Sequence, residues 1–130
     1  MLSRLLIQSN HLDQQLIQTE FMQGVILAAG KGTRMGKIEV PKCLLEINGM
    51  PIIKHQINSF KKNGIKDILV VTGYKSEMIH DLLGNQVQYV HNSKFDEMNN
   101  IYSVWLAIQK LHEDFICVYG DLIFDEKIIE

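Results

Sequence analysis

Three kinds of residue in this chain have the types and spacing to handle a polyphosphate. Gly30 and Gly32, preceded by Leu27, Ala28 and Ala29, leave the backbone bare of side-chain bulk. Glycines permit the positive-φ geometry of a tight loop, and bare N–H groups in such a loop bind anions. Cations crowd the same stretch: Lys31, Arg34, Lys37 and, just beyond Pro41, Lys42. Arginine brings a planar fork that matches phosphate oxygens. The third kind is an acid. Asp121 follows the apolar run Phe115-Ile116-Cys117-Val118-Tyr119 and Gly120, where an unpaired carboxylate would be costly. A bound Mg²⁺ removes that cost, since this ion takes one or two carboxylates together with phosphate oxygens. The plain alternative is a strand-end Asp that caps a turn, and Asp125 is a weaker alternative ligand.

Two phosphate loops fail on this stretch. The dinucleotide fingerprint needs a third Gly or Ala where Met35 stands. The P-loop needs four residues between its glycines and a hydroxyl after its lysine. Here five residues separate Gly30 from Gly36, and Ile38 follows Lys37. The stretch instead resembles the signature of nucleotidyltransferases that activate sugar phosphates and related small phosphates. That signature is L-A-A-G-x-G-T-R, a short variable loop, then P-K, and it matches Leu27 to Arg34 and Pro41-Lys42. The short spacer, with Met35-Gly36 after the arginine, is similar to the cytidylyltransferase branches. A second string, Asn99-Asn100-Ile101-Tyr102-Ser103, resembles the segment that borders the nucleotide pocket in bacterial choline-phosphate cytidylyltransferases and their aminophosphonate- and sugar-activating relatives.

The resemblance implies roles, residue by residue. Arg34 takes the β- and γ-phosphates that leave as pyrophosphate, and Lys42 the α-phosphate or the incoming phosphate. Leu27, Ala28, Ala29, Gly30, Lys31, Gly32 and Thr33 cradle the nucleotide, with Lys31 at the signature's variable position. Asn99, Asn100 and Ser103 border the base and ribose, although asparagines at a helix start also serve as plain caps. Thr72-Gly73-Tyr74 lines the same edge, with Tyr74 alternatively a half-exposed packing residue. Asp121 matches the family's first metal aspartate. The implied reaction uses a nucleoside triphosphate, CTP favoured, and a small phosphorylated acceptor: phosphocholine, an aminoalkylphosphonate or a sugar phosphate. A phosphate monoester carries about −1.5 to −2 charges at pH 7, so its oxygen attacks the α-phosphorus without a general base. The difficulty is to bring two polyanions together, which makes catalysis mostly positioning and electrostatics.

The elements that must position these residues follow from the apolar pattern. Residues 25–29 read as a first buried strand, Asp67 to Thr72 as a second, residues 87–91 as a third and Phe115 to Tyr119 as a fourth. Residues 43–47 are a short apolar segment ending in an Asn48-Gly49 turn. Pro51 stands at the N1 position of a helix with Ile52, Ile53, Ile57 and Phe60 inward, stopped by Asn63-Gly64. Ser76 caps a helix with Ile79, Leu82 and Leu83 inward, stopped by Gly84. A last helix, capped by Asn99 or Asn100, carries Ile101, Val104, Trp105, Ile108 and Leu111 on one stripe, with Trp105 in the core. Alternating strands and helices predict a Rossmann-like three-layer α/β/α fold with a mostly parallel sheet. The resemblance implies strand order 3-2-1-4, of the nucleotide-diphospho-sugar transferase type. That order brings the loop after strand 1 and Asp121 together at the carboxyl ends of the strands.

Composition sets outer bounds. The chain has 130 residues, 46% hydrophobic and 22% charged, with a net charge of −2. That is one soluble globular domain, with no basic field to suggest nucleic acid and no run long enough to span a membrane. Cys43 and Cys117 fit no metal spacing and read as reduced, buried or semi-buried thiols of a cytoplasmic protein. The five histidines share no motif. Residues 1–21 read as an extension with a loose helical stripe (Leu2, Leu5, Leu6, Leu12, Leu16, Ile17) outside the core, and residues 22–130 as the nucleotide-binding domain. Family enzymes continue for about another hundred residues, where a second metal carboxylate and most of the acceptor pocket lie. The expectation is therefore a nucleotide-binding half, cut short of the family's full length, with little turnover alone and a tendency to self-associate. The rival class is a nucleotide-binding or regulatory module without turnover. A redox Rossmann domain is disfavoured by Met35 and by Thr72-Gly73, where a ribose-binding acid should stand.

Overall fold

The computed structural model describes residues 22–30, 40–95 and 100–120. In chain order these form β1 (Gln23–Ala28), a 3₁₀ turn (Lys42–Leu44), a hairpin of β2 (Glu46–Ile47) and β3 (Met50–Pro51), and α1 (Ile52–Lys62). Then come β4 (Asp67–Thr72), α2 (Ser76–Leu83), a 3₁₀ turn (Gly84–Gln86), β5 (Gln88–His91), α3 (Asn100–Ile108) and β6 (Phe115–Tyr119). The main sheet has the order β5-β4-β1-β6, and all its pairs are parallel. With the hairpin set aside this is the expected 3-2-1-4. Among the described residues no helix is long and apolar enough to cross a membrane. The proposed extension, residues 1–21, lies outside the described residues.

β1 is buried at every position, which is why its sequence runs apolar without alternation. Its residues divide between two cores. Ile26 and Ala28 join Ile68, Val70, Ile53, Ile57, Phe60, Ile79 and Leu83 under α1 and α2. Val25 and Leu27 join Leu69, Val71 and Ala107 under α3. The sheet is thus the middle of three layers. Gln23 ties the amino ends of its strands. Its Nε2 donates to Asp67 Oδ2 at 2.7 Å, and its Oε1 accepts from the N–H groups of His112 and Glu113 at 2.8 and 3.0 Å.

Local details depart from expectation in five places. The segment after Lys42 is a 3₁₀ turn followed by a two-residue strand rather than one continuous run, although Asn48 and Gly49 do turn it, with φ of 54° and 79°. Such paired positive values suit a tight hairpin. Pro51 pairs with Glu46 in that hairpin and precedes α1 rather than opening it. Ser76 is the first residue of α2; the capping position is Lys75, in left-handed geometry at φ 48°. On α3 the buried residues are Ser103 and Ala107, while Ile101, Trp105 and Ile108 are 74%, 53% and 49% exposed. Small residues let the helix lie close on the sheet; of the expected stripe Val104 and Leu111 pack against the core, while Ile101, Ile108 and Trp105 face outward, so Trp105 is not core. Cys43 is buried as expected, but Cys117 is exposed, because β6 has a neighbouring strand on one side only among the described residues.

Candidate functional site

The carboxyl ends of β1 and β6 open into a cleft of about 180 Å³. Leu27, Ala28 and Gly30 line it from the tail of β1, and Lys42 and Cys43 from the 3₁₀ turn. Asn100, the first residue of α3, closes one side, and Tyr119 and Gly120 form the wall from β6. This is where an open parallel sheet binds ligands, beside the strand at which order reverses. The lining residues with polar side chains are Lys42, Cys43, Asn100 and Tyr119.

The tail of β1 is gripped on both sides, and both grips need a glycine. A Cβ on Gly73 would stand 2.8 Å from the Ala29 carbonyl oxygen, and one on Gly120 2.9 Å from that of Leu27; real side chains do not fit at such distances. Tyr74 N–H donates to Ala29 O at 3.0 Å, and Gly120 N–H to Leu27 O at 2.7 Å. The tail is therefore held rigidly enough to aim Gly30, which is exposed, at the cleft. From α1, Gln56 Nε2 donates to the Tyr119 carbonyl at 2.7 Å.

Of the residues singled out from sequence, Leu27, Ala28, Gly30, Lys42 and Asn100 meet in the cleft lining. Ala29 and Gly73 stand behind it as packed backbone. Tyr74 makes an edge contact with Phe95 at 6.1 Å and is half-buried. Ser103 is buried, its hydroxyl accepting from Asn92 Nδ2 at 3.0 Å, so it supports the loop after β5 rather than lining the cleft. Lys31, Gly32, Thr33, Arg34, Asn99, Asp121 and Asp125 lie outside the described residues. Cys43 and Tyr119 line the cleft without having been singled out. Their only signal was adjacency, one following Pro41-Lys42 and the other preceding Gly120-Asp121.

Among the described residues no group of three or more His, Cys, Asp or Glu side chains could hold a metal ion. The described lining of the cleft offers no carboxylate to Mg²⁺, and Asp121, the carboxylate expected from sequence, lies outside the described residues.

Comparison with known proteins agrees with this geometry. The MobA-like NTP transferase domain matches residues 24–130. The choline-phosphate cytidylyltransferase of Streptococcus pneumoniae is 35% identical over 106 residues, 79% of this chain and 46% of that protein. The 2-aminoethylphosphonate cytidylyltransferase of Lancefieldella rimae is 37% identical over 117 residues, 85% of this chain and 48% of that one. The solved CTP:phosphocholine cytidylyltransferase from S. pneumoniae superposes with a TM-score of 0.70, over 77% of this chain and 45% of that chain. The inositol-1-phosphate CTP transferase from T. maritima, 29% identical, superposes with a TM-score of 0.63 over 78% of this chain and 44% of that one. The chain thus spans about half the length of the relatives it matches.

Proposed function

Because the chain belongs to the family of MobA-like NTP transferase domains, we propose that it binds a nucleoside triphosphate, CTP favoured, as a nucleotidyltransferase that passes the nucleoside monophosphate to a small phosphorylated acceptor. The observation that carries this reading is the meeting of the signature's two ends in one cleft, Leu27, Ala28 and Gly30 from one and Lys42 from the other. The cytidylyl relatives favour CTP, and phosphocholine, an aminoalkylphosphonate or a sugar phosphate as acceptor.

In the proposed reaction an acceptor phosphate oxygen bonds to the α-phosphorus while the bond from that phosphorus to the bridging oxygen of the β-phosphate breaks, and pyrophosphate leaves with that electron pair. The backbone around Gly30 receives the phosphates, and Lys42 neutralises charge on the α-phosphate or the incoming phosphate. Arg34 holds the β- and γ-phosphates through its two-pronged fork. Asn100 sits at the cleft side open to base or ribose. Mg²⁺, held through Asp121, would supply further positive charge to the phosphates. No side chain is needed as base, because the acceptor arrives ionised.

The test is calorimetric titration of the 130-residue chain with CTP and Mg²⁺, ATP and Mg²⁺, and NAD. CTP should bind most tightly. Equal or better binding of NAD would sink the reading, and a preference for ATP would remove the cytidine assignment. Arg34→Ala should weaken CTP binding about tenfold or more while CMP loses little, since a charge-assisted phosphate contact is worth about 1.5–3 kcal/mol. A nucleotide-binding module without turnover is the second reading, favoured by a described cleft lining with one lysine and no carboxylate. Pyrophosphate release with a panel of phosphorylated acceptors separates the two.

A further inference from the structure

We propose that Asn92 is a positioning residue for the nucleotide cleft: through Ser103 its amide fixes where α3 sits on the sheet, and so holds Asn100 at the cleft's side. The inference rests on the nucleotide-binding reading above and adds a residue that lies outside both signature strings.

α3 meets the sheet through small residues. Ser103 and Ala107 are its buried positions, with Val104 partly buried beside them. Large side chains set a helix's place by fitting the gaps of the facing surface. A helix that rests on Ser and Ala can slide or roll with little loss of contact. A hydrogen bond is directional and resists both motions. Asn92 supplies one. Its Nδ2 donates to Ser103 Oγ at 3.0 Å, and the two residues are 1% and 2% exposed. A buried amide or hydroxyl left unpaired costs free energy, so a displaced α3 is penalised at both ends of the bond.

The anchoring end is itself fixed. Asn92 N–H donates to Thr72 O at 2.7 Å, which ties it to the end of β4. Its Oδ1 accepts from Lys94 N–H at 2.8 Å, which closes the turn after β5. Thr72 leads into Gly73 and Tyr74, and Tyr74 N–H donates to Ala29 O at 3.0 Å. Asn92 therefore belongs to one hydrogen-bonded frame with the tail of β1. The other end of the bond bears on the cleft as well. Asn100 precedes Ser103 by three residues, about 4.5 Å along the helix axis and about 60° around it, so the two share a face. Asn100 lines the cleft with Ala28, Gly30 and Lys42. Any roll or slide of α3 carries Asn100 with it, and its own hydrogen bonds weaken steeply once misaligned. Held by Asn92, it keeps one position relative to the β1 tail with which it would share a ligand.

The test is a double-mutant cycle with CTP, read by calorimetry on wild type, Ser103→Ala, Asn100→Ala and the double variant. One neutral hydrogen bond to a ligand is worth about fivefold in affinity, and Asn100→Ala should lose about that much. Ser103→Ala acts only through Asn100, so it should lose about threefold in the wild-type background and less than about 1.5-fold in the Asn100→Ala background. Equal losses in both backgrounds overturn the role and mark the bond as structural only. Unchanged affinity in Ser103→Ala or in Asn100→Ala overturns it too. Hydrogen exchange without nucleotide reads the lock itself: amides of α3 should exchange faster in Ser103→Ala while those of α1 keep their wild-type rates. Unchanged exchange in α3 overturns the proposal and leaves the nucleotide reading standing. If Ser103→Ala does not fold, Asn92→Ser, which keeps an acceptor for Lys94 N–H and falls short of Ser103, is carried through the same cycle. A wild-type chain that binds no CTP removes the nucleotide reading itself, and this proposal with it.

Discussion

Cys117 carries an exposed surface on β6, yet burial of its sulfur pushes the thiol from 9.0 up to about 11. Burial disfavours the thiolate, so the proton is held longer as pH rises. At pH 8 the thiolate fraction is about a hundredfold below that of an unshifted thiol, and the greater nucleophilicity of a more basic thiolate recovers about tenfold. Iodoacetamide should therefore alkylate Cys117 about tenfold more slowly than a free thiol, with a rate that still climbs above pH 9. Peptide mass analysis separates it from Cys43, and a rate levelling off near pH 9 would show a hydrated thiol instead. At this scale the position of a residue was legible where its type drew notice, as with Lys42, Gly30 and Asn100, which line the cleft. Tyr119 reaches the cleft through its place at a strand end, which its type does not announce. Ser103 has a suitable hydroxyl, but Asn92 has claimed it.

Elements depend on how closely strand ends approach one another. Gly120→Ala would put a Cβ 2.9 Å from Leu27 O and 3.1 Å from Ala28 Cβ, and neither backbone nor a β1 side chain can step aside cheaply. Overpacking of this kind costs about 1–3 kcal/mol. The melting temperature should drop by several degrees, about 4–8 °C per kcal/mol in a domain near 100 residues. Gly30→Ala, whose Cβ meets nothing within 4 Å, is the control and should melt within a degree or two of wild type. An unchanged melt for Gly120→Ala would mean that the strand ends are looser than described. The strands themselves were readable, because unbroken apolar runs have few other homes than a covered parallel sheet. The start of α2 was not. Left-handed geometry at Lys75 is set by the return from β4 past Ala29, a tertiary contact that no local pattern carries. The outward turn of Trp105 was hidden for a similar reason: α3 shows two candidate faces, and the sheet accepts the one with small residues.

Among the described residues, β6 pairs on one side only. By register, Cys117 and Tyr119 lie opposite Val25 and Leu27 and so share the sheet face on which α3 packs. Tyr119 is 51% exposed and Trp105 53%, beside a strand edge that no described strand covers. Exposed edges and apolar surfaces of this kind recruit further chains. The 130-residue chain should therefore sediment as a dimer or larger species at micromolar concentration, and Tyr119→Lys should shift it toward monomer. A concentration-independent monomer in wild type would contradict this. The sheet order has a separate consequence, in time rather than space. β1 is the first described strand to be synthesised, yet it ends at the centre, with Gln23 reaching 90 residues along the chain to Glu113. Pairings that distant are slow to form, since loop closure precedes any reward. The cleft has one wall from β1 and one from β6, so it comes into being only when the last described strand docks. A growing chain can present Gly30 early and still lack the second wall of the cleft. Under the proposed function a nucleotide would be a late fastener, closing a ring whose two ends the ribosome made far apart.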